Sequence, residues 1–159
     1  MKIILVRHAK SDYDWSKWPT DSVRPLSPKG IERQHKVAKG MLREGLTFDE
    51  IWVSPYKRAR QTLEIIQEYQ GDDVEVHIDR NLPPHGDPDK TYDKLREEYK
   101  NHPEKNLLLV GHNPNMSSLL ELLADSRDTP EMNTSDVAVC EMDKKSSKLV
   151  KFYPRKELY

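Results

Sequence analysis

Residues 1–12 read MKIILVRHAKSD, and the reading of Lys2 to Val6 decides the fold. The run is short, apolar, rich in β-branched residues and without polar alternation, which is the pattern of a parallel strand covered on both faces. It ends on two adjacent basic side chains, Arg7 and His8, instead of on a turn residue. Two later stretches repeat the pattern. DEIWVSP at 49–55 is an apolar run that gives way to Ser54, and KNLLLVGH at 105–112 carries Leu107 to Val110 into an abrupt Gly111-His112.

Helical segments alternate with these strands. Ser27-Pro28 supplies a serine N-cap with proline at the first helical position, which predicts a helix to about Glu44, with Gly45 as its stop. Ile31, Ala38 and Leu42, joined by Val37 and Met41, are the expected buried stripe. YKRARQTLEIIQEYQG at 56–71 places Ala59, Leu63 and Ile66 on one helical face. DVEVHI at 73–78 alternates as a strand nearer an edge, a helix is expected over Asp89–Asn101, and the helix after His112 carries Leu119, Leu120, Leu122 and Leu123. DVAVCEMDKKSSKLVKFY at 136–153 reads as a closing hairpin. The order predicts a three-layer α/β/α domain with a mostly parallel sheet and a C-terminal strand hairpin, and 1–159 as a single domain.

Composition narrows the partners. With 26 basic and 27 acidic residues the formal net charge is −1, so no nucleic acid or anionic membrane is implied by the total and any basic site must be local. No apolar run approaches the roughly 20 residues that span a bilayer. A single cysteine, Cys140, excludes an internal disulfide and reads as buried filler. The expected location is cytoplasmic.

In parallel sheets a site lies beyond the carboxyl ends of the strands. Those ends carry Arg7-His8, Ser54 with Arg58 on the first turn beyond it, and Gly111-His112. Two permanently charged guanidinium forks suit a tetrahedral oxyanion, which points to a phosphoryl group. One histidine can attack phosphorus through a neutral ring nitrogen, and the second, if cationic, can stabilise the equatorial oxygens. Two arginines beside two histidines are a poor home for a cation, so neither a metal nor a cofactor is expected. No P-loop and no glycine-rich dinucleotide fingerprint follows any strand.

LVRHAKS, SPYKRARQT and VGHNP, in that order and each at a strand end, resemble the three motifs of the histidine phosphatase superfamily, the phosphoglycerate-mutase-like fold. TDSVRPLSPKG, PPHGD and NTSDVAVCEMD resemble the short phosphohistidine phosphatases of the SixA type. The resemblance implies that His8 is the nucleophile that becomes transiently phosphorylated, that Arg7 and Arg58 clamp the phosphate, and that His112 is the second catalytic histidine. Ala9 stands where the superfamily usually has glycine. Lys10 and Ser11 could each add a donor to the phosphate. Arg24 is implied to line the pocket, the alternative being a loop arginine paired with Asp21.

The larger phosphomonoesterases of the superfamily use a carboxylic acid in the region that here reads NLPPHGDPD, 81–89, which contains no glutamate. His85 and Asp87 are the nearby candidates for an acid, or plain turn residues. A phosphoimidazole can depart as neutral imidazole and needs little help, whereas an alkoxide needs a proton. The expected substrate is therefore a protein carrying phosphohistidine. The alternatives are a small phosphomonoesterase acting on a phosphorylated metabolite or phosphoserine, and a phosphate-binding module without catalysis. Trp15 and Trp18 could form a lid or merely pack their loop.

Overall fold

Every apolar run found by pattern becomes a strand of one sheet. The computed structural model describes all of residues 1–159 and contains β1 (Lys2–Arg7), β2 (Glu50–Val53), β3 (Glu75–Ile78), β4 (Asn106–Gly111), β5 (Val137–Met142) and β6 (Ser147–Tyr153). The spatial order is β3-β2-β4-β1-β5-β6. The first four of these positions are parallel, while β5 runs antiparallel to β1 and forms the C-terminal hairpin with β6. Helices α1 (Pro28–Arg43), α2 (Lys57–Gln70), α3 (Pro88–Asn101) and α4 (Asn115–Ala124) cover the sheet. This is the expected three-layer α/β/α architecture, and no helix is long and apolar enough to cross a membrane.

The lack of polar alternation in β1 has its physical reason in two cores. Ile4 and Val6 pack with Val37, Met41, Leu63 and Ile66 of α1 and α2, whereas Ile3 and Leu5 pack with Leu95, Leu119, Leu120 and Leu123 of α3 and α4. Burying each such side chain contributes roughly 1.5–3 kcal/mol. A one-residue slip of β1 would exchange its two faces and mismatch both cores, so the register that sets Arg7 at the strand end is held from both sides.

Helix α1 begins as expected, with the Ser27 hydroxyl accepting from Gly30 N at 3.0 Å and Pro28 at the first turn. Its buried face differs from the predicted one. Ile31 is 37% and Leu42 49% exposed, and the core-facing set is Gly30, Gln34, Val37, Ala38 and Met41. Gln34 holds its place in that stripe because its Oε1 accepts from Ser135 Oγ at 2.8 Å, a partner that no pattern within the helix reveals. Strand β3 is the sheet edge, as its alternation suggested, with Val76 and Ile78 exposed.

The segment between β1 and α1 leaves and re-enters the fold at one place. Asp12 N donates to Pro25 O (2.9 Å), Ser27 N donates to Lys10 O (3.0 Å), and Ser11 bridges to Leu26. Gly30 makes this junction possible, because a Cβ there would lie 2.0 Å from Lys10 O. Gly30→Ala is expected to cost about 1–3 kcal/mol of stability, the penalty for forcing a methyl into filled space, read as a lower denaturant midpoint. A variant as stable as the parent would show that the junction is not packed in this way.

Candidate active site

Strand register brings the two histidines together. Arg7 lies opposite Gly111 in the β1–β4 pair, and His8 N extends the ladder by donating to Gly111 O at 2.9 Å. On the other side of β4, Val53 pairs with Val110 and Ser54 N donates to Val110 O at 3.0 Å. His8, Ser54 and His112 therefore share one level at the sheet edge. The two imidazole centroids are 4.9 Å apart with the rings inclined at 53°.

The hydrogen bond of the His8 ring fixes where its proton sits, and that of His112 runs to a hydroxyl. His8 Nδ1 lies 2.6 Å from Ala9 O, which can only accept, so Nδ1 carries the proton and Nε2 keeps its lone pair. His112 Nε2 lies 2.8 Å from Ser54 Oγ, and that oxygen already accepts from Tyr56 N at 3.2 Å. When the Ser54 hydroxyl proton points to His112 Nε2, the His112 proton sits on Nδ1, the ring nitrogen without a partner in the protein. Both rings are neutral. Burial, reinforced by Arg58 and Arg7, pushes the His8 pKa down to about 3 against the opposing bond to Ala9 O. Burial, then His8, Arg58 and Arg7, pushes His112 down to about 2. The condition under which the second histidine would stabilise the oxygens as a cation is thus not met in the resting state.

Around the histidines is a cleft of about 380 Å³ whose walls include Arg7, Arg24 and Arg58. Arg7 Nη1 donates to Met132 O at 3.0 Å. Arg58 donates through Nη1 to Asp21 O (2.8 Å) and through Nη2 to Asp21 Oδ2 (2.9 Å), and Arg24 Nε donates to Asp21 Oδ1 at 3.0 Å. Partial burial would raise the pKa of Asp21, but the hydrogen bonds and charges of Arg58 and then Arg24 hold it below the usual carboxylate range. Three buried nitrogens of cleft-lining residues have no acceptor within the protein: Arg7 Nε, Arg58 Nε and His112 Nδ1. The two guanidinium nitrogens are donors left without an acceptor, and with the remaining positive charge of Arg7, Arg24 and Arg58 they make the cleft suited to an acceptor-rich oxyanion.

Of the remaining expected residues, Lys10, Ser11 and Arg24 all line this cleft. Both readings of Arg24 hold together: it lines the cleft and pairs with Asp21, and its Nη1 also donates to Asp12 O (2.8 Å) and to Ser11 Oγ. The two candidate acids are not brought in. Asp87 is exposed and caps α3 by accepting from Asp89 N at 2.9 Å, and His85 is exposed on the same loop; only Pro84 of that stretch reaches the cleft. The bulkier Ala9 is accommodated, fully buried, with its N–H donating to Thr62 Oγ1 at 3.0 Å. Trp15 lines the cleft and Trp18 does not.

Sequence reasoning offered Asp21 only as a partner of Arg24 and missed its bond to Arg58. It also missed Thr62, which links the chain after His8 to Arg58, accepting from Ala9 N and donating to Arg58 O at 2.8 Å. The available signal for Thr62 was its place four residues after Arg58, one helical turn away. Elsewhere, Glu50, Glu75 and His77 bring ligand-type atoms within 4.8 Å of one another. Glu50 there is already bonded to Trp52 Nε1 (2.7 Å) and Lys105 Nζ (3.1 Å), which makes the cluster an ion-pair network.

Comparison with known proteins gives these features a context. The family description "histidine phosphatase superfamily (branch 1)" matches residues 3–86. An uncharacterized protein of Picosynechococcus sp. is 31% identical over 140 residues, covering 87% of this chain and 82% of that protein. The phosphohistidine phosphatase SixA of Escherichia coli K12 is 26% identical over 143 residues, covering 90% of this chain and 86% of that protein. Among solved structures, the protein histidine phosphatase SixA complexed with tungstate superposes with a TM-score of 0.90 at 24% identity, covering 100% of both chains.

The neutral histidines lead to a measurement. Neither His8 nor His112 is expected to titrate between pH 8 and 5 in nitrogen-detected NMR, and a midpoint near 6.5 for either ring would contradict the geometry. Because both pKa values are lowered on folding, the unfolded chain takes up these protons first as pH falls below about 6.5, so stability is expected to decline from pH 7 toward pH 4.

Proposed function

Since the chain belongs to the histidine phosphatase superfamily, we propose that it removes phosphate from protein phosphohistidine through a phosphorylated His8. The Nε2 lone pair of His8 attacks phosphorus in line. The substrate P–N bond breaks, its electron pair returns to the imidazole nitrogen, and the ring leaves neutral because its far nitrogen holds a proton. Water then attacks phosphorus from the vacated side, the P–Nε2 bond breaks with its electron pair returning to Nε2, and both water protons leave on inorganic phosphate as H2PO4−. Arg7, Arg58 and the His112 Nδ1–H accompany the oxygens through both steps, and Ala9 O keeps the Nδ1 proton of His8 in place throughout. Arg24, Ser11 and Lys10 complete the phosphate side. The scheme uses no metal and no cofactor.

The observation that carries the choice of substrate is the state of Asp21. It is the one carboxyl group lining the cleft, it is bonded to two arginines, and it is held ionised. It has no proton to give, and His85 and Asp87 lie outside. A leaving alkoxide would go unassisted, whereas an imidazole does not need assistance. The likeness to SixA proteins supports the same reading.

Hydrolysis of a phosphohistidine peptide is expected to exceed that of the matching phosphoserine peptide by at least about 100-fold in kcat/KM, the scale of a missing general acid. A faster phosphoserine reaction would replace this reading with a phosphomonoesterase. Brief mixing with labelled substrate and an alkaline quench should trap phosphate on the parent protein and not on His8→Ala. Trapping on neither would favour a binding module. Asp21→Ala is expected to lower kcat at least about tenfold by loosening two clamps, while tungstate affinity stays within about threefold because the local positive charge rises as the order falls.

A further inference from the structure

The side of the cleft that faces the leaving group has a composition of its own. His8 sits at the floor with 6% exposure, so in-line attack directs the departing group outward, away from His8. The exposed residues among those lining the cleft are Lys10, Tyr13 and Trp15. Tyr13 is 84% and Trp15 59% exposed, two large rings that the packed interior does not claim. Trp15 nevertheless has a partner: the Arg24 guanidinium carbon lies 3.9 Å from the centre of its ring, and its short helical turn is capped by Asp14, which accepts from Ser16 N at 3.2 Å. Arg24 in turn is tied to Asp21. An aromatic ring therefore stands at the mouth, connected through Arg24 and Asp21 to Arg58. At about 380 Å³, room for roughly a dozen waters at about 30 Å³ each, the cleft exceeds what a phosphoryl group fills.

We propose that Trp15 and Tyr13 form an aromatic rim that contacts the leaving side of the substrate, the imidazole and the adjoining chain of the phosphorylated protein, and so favour phosphate presented on a ring-bearing polypeptide. The inference rests on the reading of the site given above and adds specificity-determining residues to it. Planar, amphipathic rings with few rotatable bonds suit this role, since they bring contact area at small entropic cost. Trp15 could instead act only through Arg24, as a support for the phosphate clamp. The two roles differ in what they discriminate. A support affects every phosphorylated compound alike, whereas a rim matters only when the leaving group has a body.

The test compares two compounds with the same scissile P–N bond. Phosphoramidate has a leaving group without a ring or chain, and a phosphohistidine peptide has both. The ratio of their kcat/KM values, peptide over phosphoramidate, is expected to fall about fivefold to tenfold in Trp15→Ala and in Tyr13→Ala, and to recover most of that loss in Trp15→Phe and Tyr13→Phe. An unchanged ratio in the double alanine variant, with both rates falling together or neither falling, overturns the rim. Absence of turnover of either compound by the parent protein overturns it as well. A parent that prefers a phosphoserine peptide overturns the phosphohistidine reading alone, because the ratio is formed within one bond type and still reports whether the rim senses the leaving group.

Discussion

The pairing of β1 with β4 is the constraint on which the remaining geometry depends. Both strands are central and buried on both faces, and their register sets Arg7 against Gly111. From that pairing it follows that the residues after each strand, His8 and His112, emerge side by side at the same height. Neither histidine is positioned by a long or adaptable segment. Each is the first residue beyond a rigid strand, which gives a pair of rings the precision that chemistry at phosphorus demands.

Burial then decides what the rings are. Two imidazoles 4.9 Å apart beneath three guanidinium groups cannot both become cations, and desolvation adds to the repulsion. The same field that suppresses protonation of His8 attracts an anion, so one arrangement of charge keeps the His8 lone pair free and draws an oxyanion toward it. Asp21 moderates that field. By tying Arg58 and Arg24 with one carboxylate it spaces two like charges that would otherwise repel, at the cost of being unable to act as an acid.

Much of this was legible in the chain. Three apolar runs without alternation gave the central strands, and the rule that sites lie at carboxyl ends of parallel strands gathered Arg7, His8, Arg58 and His112 before any contact was known. The limits were of two physical kinds. Helix periodicity locates a stripe only to within a residue or so, and in α1 a buried Gln34 takes a place in the stripe that Ile31 and Leu42 leave, its amide oxygen accepting from a serine 101 positions away. Contacts between distant loops leave no periodic trace at all. Asp21 lies 37 residues from Arg58, and nothing in either neighbourhood announces the bond. For the acid, the turn at 81–87 brings Pro84 to the cleft while His85 and Asp87 are exposed and are not among its lining residues.

The pinned junction between β1 and α1 has a consequence for how such a protein can diversify. With Lys10 held to Ser27, Asp12 to Pro25, and Arg24 reaching back to Asp12 O, the residues between form a closed excursion, an Ω-type loop, whose tip at 13–18 lies outside these ties. Lengthening a loop of this kind costs little, about 0.6 kcal/mol per doubling. Its tip can therefore be exchanged like an interchangeable faceplate, altering what the mouth of the cleft admits while the strand that carries His8 stays where the sheet put it.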